Sequence, residues 1–214
     1  MNEAERGKIA GVLLAGGLSR RMGGGDKTLR LLGGRPVLAH VIDRIRPQVA
    51  ALALNANGDP ARFSEFGLQI IPDPIAGFAG PLAGVLAGLD WAAEATPGCA
   101  WLLSAPTDAP FLPQDLASRL LAETKTGAEI IPVASSGGRS HPVAALWPIW
   151  LRTRLREALE SGIRKVEDFT KDYRVRSVNF AAEPVDPFFN LNRPEDLEAA
   201  ERALGLELAS NPTQ

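Results

Sequence analysis

Two hydrophobic periods alternate along the chain. Short unbroken apolar runs read as buried strands at residues 9–15 ("IAGVLLA"), 51–55 ("ALALN"), 68–73 ("LQIIPD"), 100–108 ("AWLLSAPTD"), 129–135 ("EIIPVAS") and 141–148 ("HPVAALWP"). Between them lie segments with apolar positions at helical spacing. Residues 36–48 place Val37, Leu38, Val41, Ile42 and Ile45 on one face, behind Pro36 as a first helical residue. Residues 80–95 carry Leu82, Val85, Leu86 and Leu89 at i, i+3, i+4 and i+7. Further helices are predicted at 113–124, 149–161 and 164–172. A short strand comes next at 174–180, and a closing helix at 193–205 is expected to stop at Gly205 and leave 206–214 as a frayed tail. Trp101, Trp147 and Trp150 read as core.

Strands alternating with helices predict an α/β fold with a mainly parallel sheet flanked by helices. With no repeat, linker or compositional break, residues 1–214 read as a single domain. The polar residues then form a pattern. A glycine-rich loop, Asn55, Asp73 and Asp108 each fall at the C-terminal end of a predicted strand, the edge where open α/β sheets bind ligands.

Composition narrows the partners. The chain is 45% hydrophobic and 22% charged with a net charge of -2, so no basic field recruits nucleic acid. No apolar run reaches the ~18 residues of a membrane span, and the N-terminus lacks a signal-peptide core. The lone Cys99 fits a reducing cytoplasm, and the two histidines are too few for a zinc site.

The loop at residues 13–28, "LLAGGLSRRMGGGDKT", has five glycines. A Walker A loop requires glycine before its lysine, and here Asp26 precedes Lys27, which disfavours a P-loop kinase; nor is there a G-x-G-x-x-G fingerprint. Between residues 16 and 35 stand five basic residues, Arg20, Arg21, Lys27, Arg30 and Arg35, against Asp26 alone. Glycines let backbone N–H groups approach phosphate oxygens, and cations offset their charge.

"LLAGGLSRRMGGGDKTL" resembles the signature of nucleotidyltransferases, and more narrowly that of the molybdenum cofactor guanylyltransferases. The resemblance spans nearly the whole chain: "LNANG", "PDP" with "GPLAGVLAGL", "APTDAPFLP", "GGRSHPVAAL", "RKVEDF" and "FFNLNRPEDL" each resemble a family element. Arg193 departs from the family's usual threonine and adds a cation beside the second-substrate element. The resemblance implies a Rossmann-like nucleotidyltransferase fold. It also implies transfer of GMP from GTP to the terminal phosphate of molybdopterin with release of pyrophosphate, and transient contact with molybdenum cofactor delivery proteins.

Such chemistry rests on positioning and charge stabilisation. Mg²⁺ binds through one or two carboxylates plus substrate phosphates, and Asp108 is the candidate ligand. Lys27 is expected on phosphate oxygens. The backbones of Leu14, Ala15 and Gly16 are expected against guanine or phosphate, since glycine permits close approach. Asn55 offers donor and acceptor to a purine edge or ribose, or else makes a turn; Asp73 faces base or sugar, or caps a turn. The resemblance gives Arg21 a catalytic role and assigns Asn190 and Asn192 to molybdopterin, at a site expected to be separate from that of GTP. His141 either orients a loop or contacts substrate. A cytidylyltransferase reads L-A-A-G where this chain reads Leu14-Ala15-Gly16-Gly17. "FNLNRPEDL" and the short length argue against a sugar-1-phosphate nucleotidyltransferase. A non-catalytic nucleotide-binding regulator is disfavoured by the presence of both Lys27 and Asp108.

Overall fold

The computed structural model describes residues 1–15, 27–75, 77, 80–126 and 129–210. Its elements in chain order are α1 (Glu3–Arg6), β1 (Ile9–Leu14), β2 (Leu31–Leu32), β3 (Arg35–Pro36), α2 (Val37–Ile45), β4 (Ala51–Asn55), β5 (Gln69–Ile71), α3 (Pro81–Ala95), β6 (Trp101–Pro106), α4 (Leu116–Glu123), β7 (Ile130–Ser136), β8 (Arg139–Pro148), α5 (Arg152–Glu160), α6 (Val166–Thr170), β9 (Arg174–Phe180) and α7 (Pro194–Ser210). Among the described residues seven strands form one sheet in the order β5-β4-β1-β6-β8-β7-β9. β1 pairs parallel with β4 and β6, β4 with β5, and β7 with β9, while β8 runs antiparallel to β6 and β7. The expected α/β fold with a mainly parallel sheet is therefore observed.

β1 lies inside the sheet with every side chain buried, which is why its sequence is a continuous apolar run rather than an alternating one. Successive residues serve opposite layers. Leu13 packs with α2 and α4 residues such as Val41, Ile45 and Leu120, and Val12 packs with α3, α5 and α6 residues such as Leu86, Leu155 and Phe169. All five apolar positions expected on the face of α2 are buried; full burial of each such side chain contributes about 1.5–3 kcal/mol. Trp147 is fully buried, with its indole Nε1–H donating to Ser104 Oγ at 2.9 Å.

Several expectations need correction. Pro36 precedes α2 as its N-cap instead of opening it. β5 ends at Ile71 because Pro72 has no N–H to continue a ladder, so Asp73 lies two residues beyond the strand. Trp150 is exposed, with Arg154 over its ring at 5.4 Å, and is not core. Gly205 does not stop the last helix: it avoids the left-handed conformation of a C-terminal glycine, and α7 continues to Ser210, which removes residues 206–210 from the expected tail. Among the described residues no helix is long and apolar enough to cross a membrane.

The chain steps outward from β1 to β4 and β5, then crosses back to β6 on the other side of β1. The strand order therefore reverses between β1 and β6, and the crevice beyond their C-terminal ends is the place an open α/β sheet offers a ligand.

Candidate functional site

The last residues of four parallel strands are in register, with Ile71 beside Asn55, Asn55 beside Leu14, and Leu14 beside Pro106. The residues just past these strand ends line one edge: Asp73 after β5, Asn57 after β4, Ala15 after β1 and Asp108 after β6. Leu14, Ala15, Asn55, Asp73 and Asp108 are thus gathered as expected. Gly16 and Arg21, with Arg20, lie outside the described residues.

On the β4–β5 side the polar groups bind one another first. Asn55 is buried, and its Nδ2 donates to the Ile71 carbonyl at 3.1 Å and to Asp73 Oδ1 at 3.0 Å. Asn57 Nδ2 donates to Asp73 Oδ2 at 2.7 Å, and the Asp73 N–H returns a bond to Asn57 Oδ1 at 2.9 Å. Both side-chain N–H donors of Asn55 are consumed by protein acceptors, so it acts as a strut for Asp73 and not as a donor to a base. The Ala15 N–H is likewise engaged, by the Asn55 carbonyl at 2.9 Å, and the Leu14 carbonyl accepts from Thr107 Oγ1 at 3.2 Å. These bonds hold Leu14 and Ala15 at the end of β1, and they engage within the protein the Ala15 N–H and the Leu14 carbonyl, two of the backbone groups expected against guanine or phosphate. Asn57 is a site residue that the sequence reading does not single out, although its spacing of two from Asn55 places both side chains on the same side of an extended segment.

α3 approaches this strut closely because residue 84 is glycine. A Cβ there would strike Asn55 Oδ1 and come within 2.9 Å of the Leu14 side chain. Gly84→Ala is expected to destabilise the fold by about 1–3 kcal/mol through overpacking, lowering the melting temperature by roughly 2–12 °C; a thermal melt checks it. An unchanged melt would show that Asn55 moves aside freely and is no strut.

On the β1–β6 side the groups are charged. Burial raises the Asp108 carboxyl above its usual pKa, opposed by the Lys27 ammonium and by the residue's own backbone N–H. Lys27 Nζ donates to Asn192 Oδ1 at 3.2 Å, and the Leu191 N–H donates to the Asp108 carbonyl at 2.9 Å. Lys27, Asp108 and Asn192 therefore converge, and the expected separation between a loop site and an asparagine site does not hold for Asn192. Asn192 is fixed from behind by Asp196, whose Oδ2 accepts from the backbone N–H groups of Asn192 at 2.8 Å and Arg193 at 2.7 Å, capping α7. Leu191 is buried between exposed Asn190 and Asn192, so the two asparagines share the outward side of the segment.

A desolvated carboxylate at a strand end offers hard oxygen donors where positive charge offsets the cost of its burial. Among the described residues no group of three or more His, Cys, Asp or Glu could form an all-protein metal cage. That donor set suits a hard divalent ion held by one carboxylate together with substrate phosphates.

Known proteins share this architecture and much of this sequence. Residues 11–176 match the family model described as the MobA-like NTP transferase domain. A relative from Rhodopseudomonas palustris (strain BisB5), named molybdenum cofactor guanylyltransferase, is 57% identical over 94% of this chain and 97% of its own. One of the same name from Bradyrhizobium sp. (strain ORS 278) is 54% identical over 93% of this chain and 94% of its own. Among solved structures, the molybdopterin-guanine dinucleotide biosynthesis protein A of Archaeoglobus fulgidus superposes with a TM-score of 0.71 at 22% identity, covering 92% of this chain and 99% of that one.

Proposed function

The chain belongs to the MobA-like NTP transferases and, among them, to the molybdenum cofactor guanylyltransferases, and from that premise we propose that it transfers GMP from GTP to the terminal phosphate of molybdopterin. A phosphate oxygen of molybdopterin attacks the α-phosphorus of GTP, the bond from that phosphorus to the bridging oxygen breaks, and pyrophosphate leaves with the electron pair. The observation that carries this reading in the structure is the convergence of a cation, a carboxylate and an asparagine from three distant segments at the sheet's switch point. Two anions must meet there, and the chain supplies charge and orientation without a protein nucleophile.

Lys27 offsets charge on the phosphates and on the departing pyrophosphate. Asp108 would hold the divalent metal, taken to be Mg²⁺. When bound, that ion neutralises phosphate charge and polarises a phosphoryl oxygen. Asp73, held by Asn55 and Asn57, presents a fixed acceptor to the sugar or base of GTP. Asn190 and Asn192 orient molybdopterin, and Arg21 takes the catalytic role that its place in the family motif implies. The reaction is placed in the cytoplasm, in keeping with a single cysteine, and delivery proteins are its proposed transient partners.

The asparagines separate the two substrates. Asn190→Ala is expected to leave GTP affinity unchanged and to impair transfer to molybdopterin by about tenfold or more. Asn192→Ala is expected to impair transfer likewise and also to weaken GTP binding by roughly two- to tenfold, because Lys27 loses a hydrogen-bond partner. Titration of each variant with GTP and with molybdopterin checks this; equal loss of GTP affinity in both would merge the two sites. Base selection tests the guanylyl assignment itself. A site built to hydrogen-bond one base leaves polar groups unpaired with another, so GTP is expected to outcompete CTP and ATP in binding. Equal competition by CTP would contradict the assignment and leave the fold intact.

A further inference from the structure

Away from the switch point, a chain of polar side chains anchors the segment that carries the asparagines. Ser136, the last residue of β7, is fully buried. Its hydroxyl donates to Asp186 Oδ1 at 2.7 Å and lies 2.7 Å from His141 Nε2 on β8. A hydroxyl has one proton, and a carboxylate can only accept. Ser136 therefore gives its proton to Asp186 and accepts from His141, which fixes the tautomer with the proton on Nε2. Burial pulls the imidazole below its usual pKa, and Arg139 adds to this while Asp186 opposes it, which favours the neutral ring this tautomer requires.

Asp186 also accepts from the Phe188 N–H at 2.9 Å, folding the chain into a turn. The Phe188 ring stacks on His141 with centroids 4.4 Å apart at 17°, and meets Phe180 edge-on at 5.5 Å. Three residues on, the Leu191 N–H reaches the Asp108 carbonyl. The order of the chain, His to Ser to Asp, is wrong for a nucleophile: the serine is sealed from solvent and its proton points to the acid.

We propose that Ser136 and His141 are positioning residues for the second substrate, pinning residues 186–192 through Asp186 and Phe188 so that Asn190 and Asn192 are presented at a fixed place beside Asp108. The proposal rests on the guanylyl-transfer reading. A misplaced orienting group costs rate far more than it costs stability.

The test uses the full chain, with steady-state kinetics in molybdopterin and direct titration with GTP. Ser136→Ala and His141→Ala are expected to raise KM for molybdopterin by about tenfold, while the Kd for GTP stays within about threefold because the pin reaches the nucleotide side indirectly, through Asn192 on Lys27 and through Leu191 on the Asp108 backbone carbonyl. His141→Gln returns an N–H donor to the position of Nε2 and is expected to restore KM to within about threefold of wild type. A KM that does not move, a GTP Kd that worsens as much as KM, or no rescue by glutamine would overturn the proposal. Should Ser136→Ala fail to fold, the two His141 variants decide between the same outcomes. Absence of molybdopterin-dependent transfer in the wild-type protein would instead overturn the guanylyl reading, and this proposal with it.

Discussion

Asp108→Asn is expected to lower turnover by on the order of 10²–10³-fold while the melting temperature holds or rises slightly. The two effects share one cause. The carboxyl is held partly out of water, so its charged form is disfavoured in the folded protein, with Lys27 giving back part of that cost. A neutral amide of the same shape escapes the cost, so the fold does not suffer. It also offers far weaker binding to a divalent ion, so the phosphates lose a partner when charge must be neutralised. Activity and a thermal melt on the same preparation check both halves. Wild-type-like turnover at matched Mg²⁺ would move the metal to another carboxylate, with Asp73 next in line.

Lys27→Ala is expected to weaken GTP binding or slow transfer by about 1.5–3 kcal/mol, the contribution of one charge-assisted contact, or roughly ten- to 150-fold. It carries a second signature. Lys27 lowers the pKa of Asp108, so its removal lets burial raise that carboxyl further. The acid limb of the pH–activity profile is therefore expected to move to higher pH in the variant, because Asp108 takes up its proton earlier as pH falls. A weakened GTP Kd with an unmoved acid limb would mean that Lys27 serves phosphate alone and that another group sets the limb.

Most of the scaffold is legible in the sequence because its signals are local. The five residues placed on one face of residues 36–48 are the five that α2 buries, and the strand expected at 174–180 is β9. The β7–β8 hairpin is absent from that reading, although its signal is local too. Gly137 and Gly138 both take positive φ, 52° and 77°, the backbone that a two-residue hairpin turn requires, and that turn makes β8 the antiparallel strand of the sheet. Gly205 misleads in the opposite sense, since it does not take the left-handed conformation with which a glycine commonly ends a helix.

The site is legible where chemistry follows from residue type. Lys27 and Asp108 stand out as a cation in a glycine-rich stretch and a carboxylate at a strand end, and the structure brings them within electrostatic reach. Contacts between distant segments are not legible. Lys27 and Asn192 are 165 residues apart, and nothing in either local pattern says that they touch. Asn55 reads as a ligand-facing residue or a turn former, yet its donors turn inward because Asp73 and the Ile71 carbonyl await them, and because Gly84 leaves room for its oxygen. Ser136 hides within an apolar strand, and only the fold shows that it joins His141 to Asp186.

The most direct test of guanylyl transfer is pyrophosphate release by the purified protein with Mg²⁺, molybdopterin and each nucleoside triphosphate in turn. The expected result is release that requires both GTP and molybdopterin, with CTP and ATP giving little. Release with CTP equal to that with GTP, or release from GTP that does not depend on molybdopterin, would contradict it.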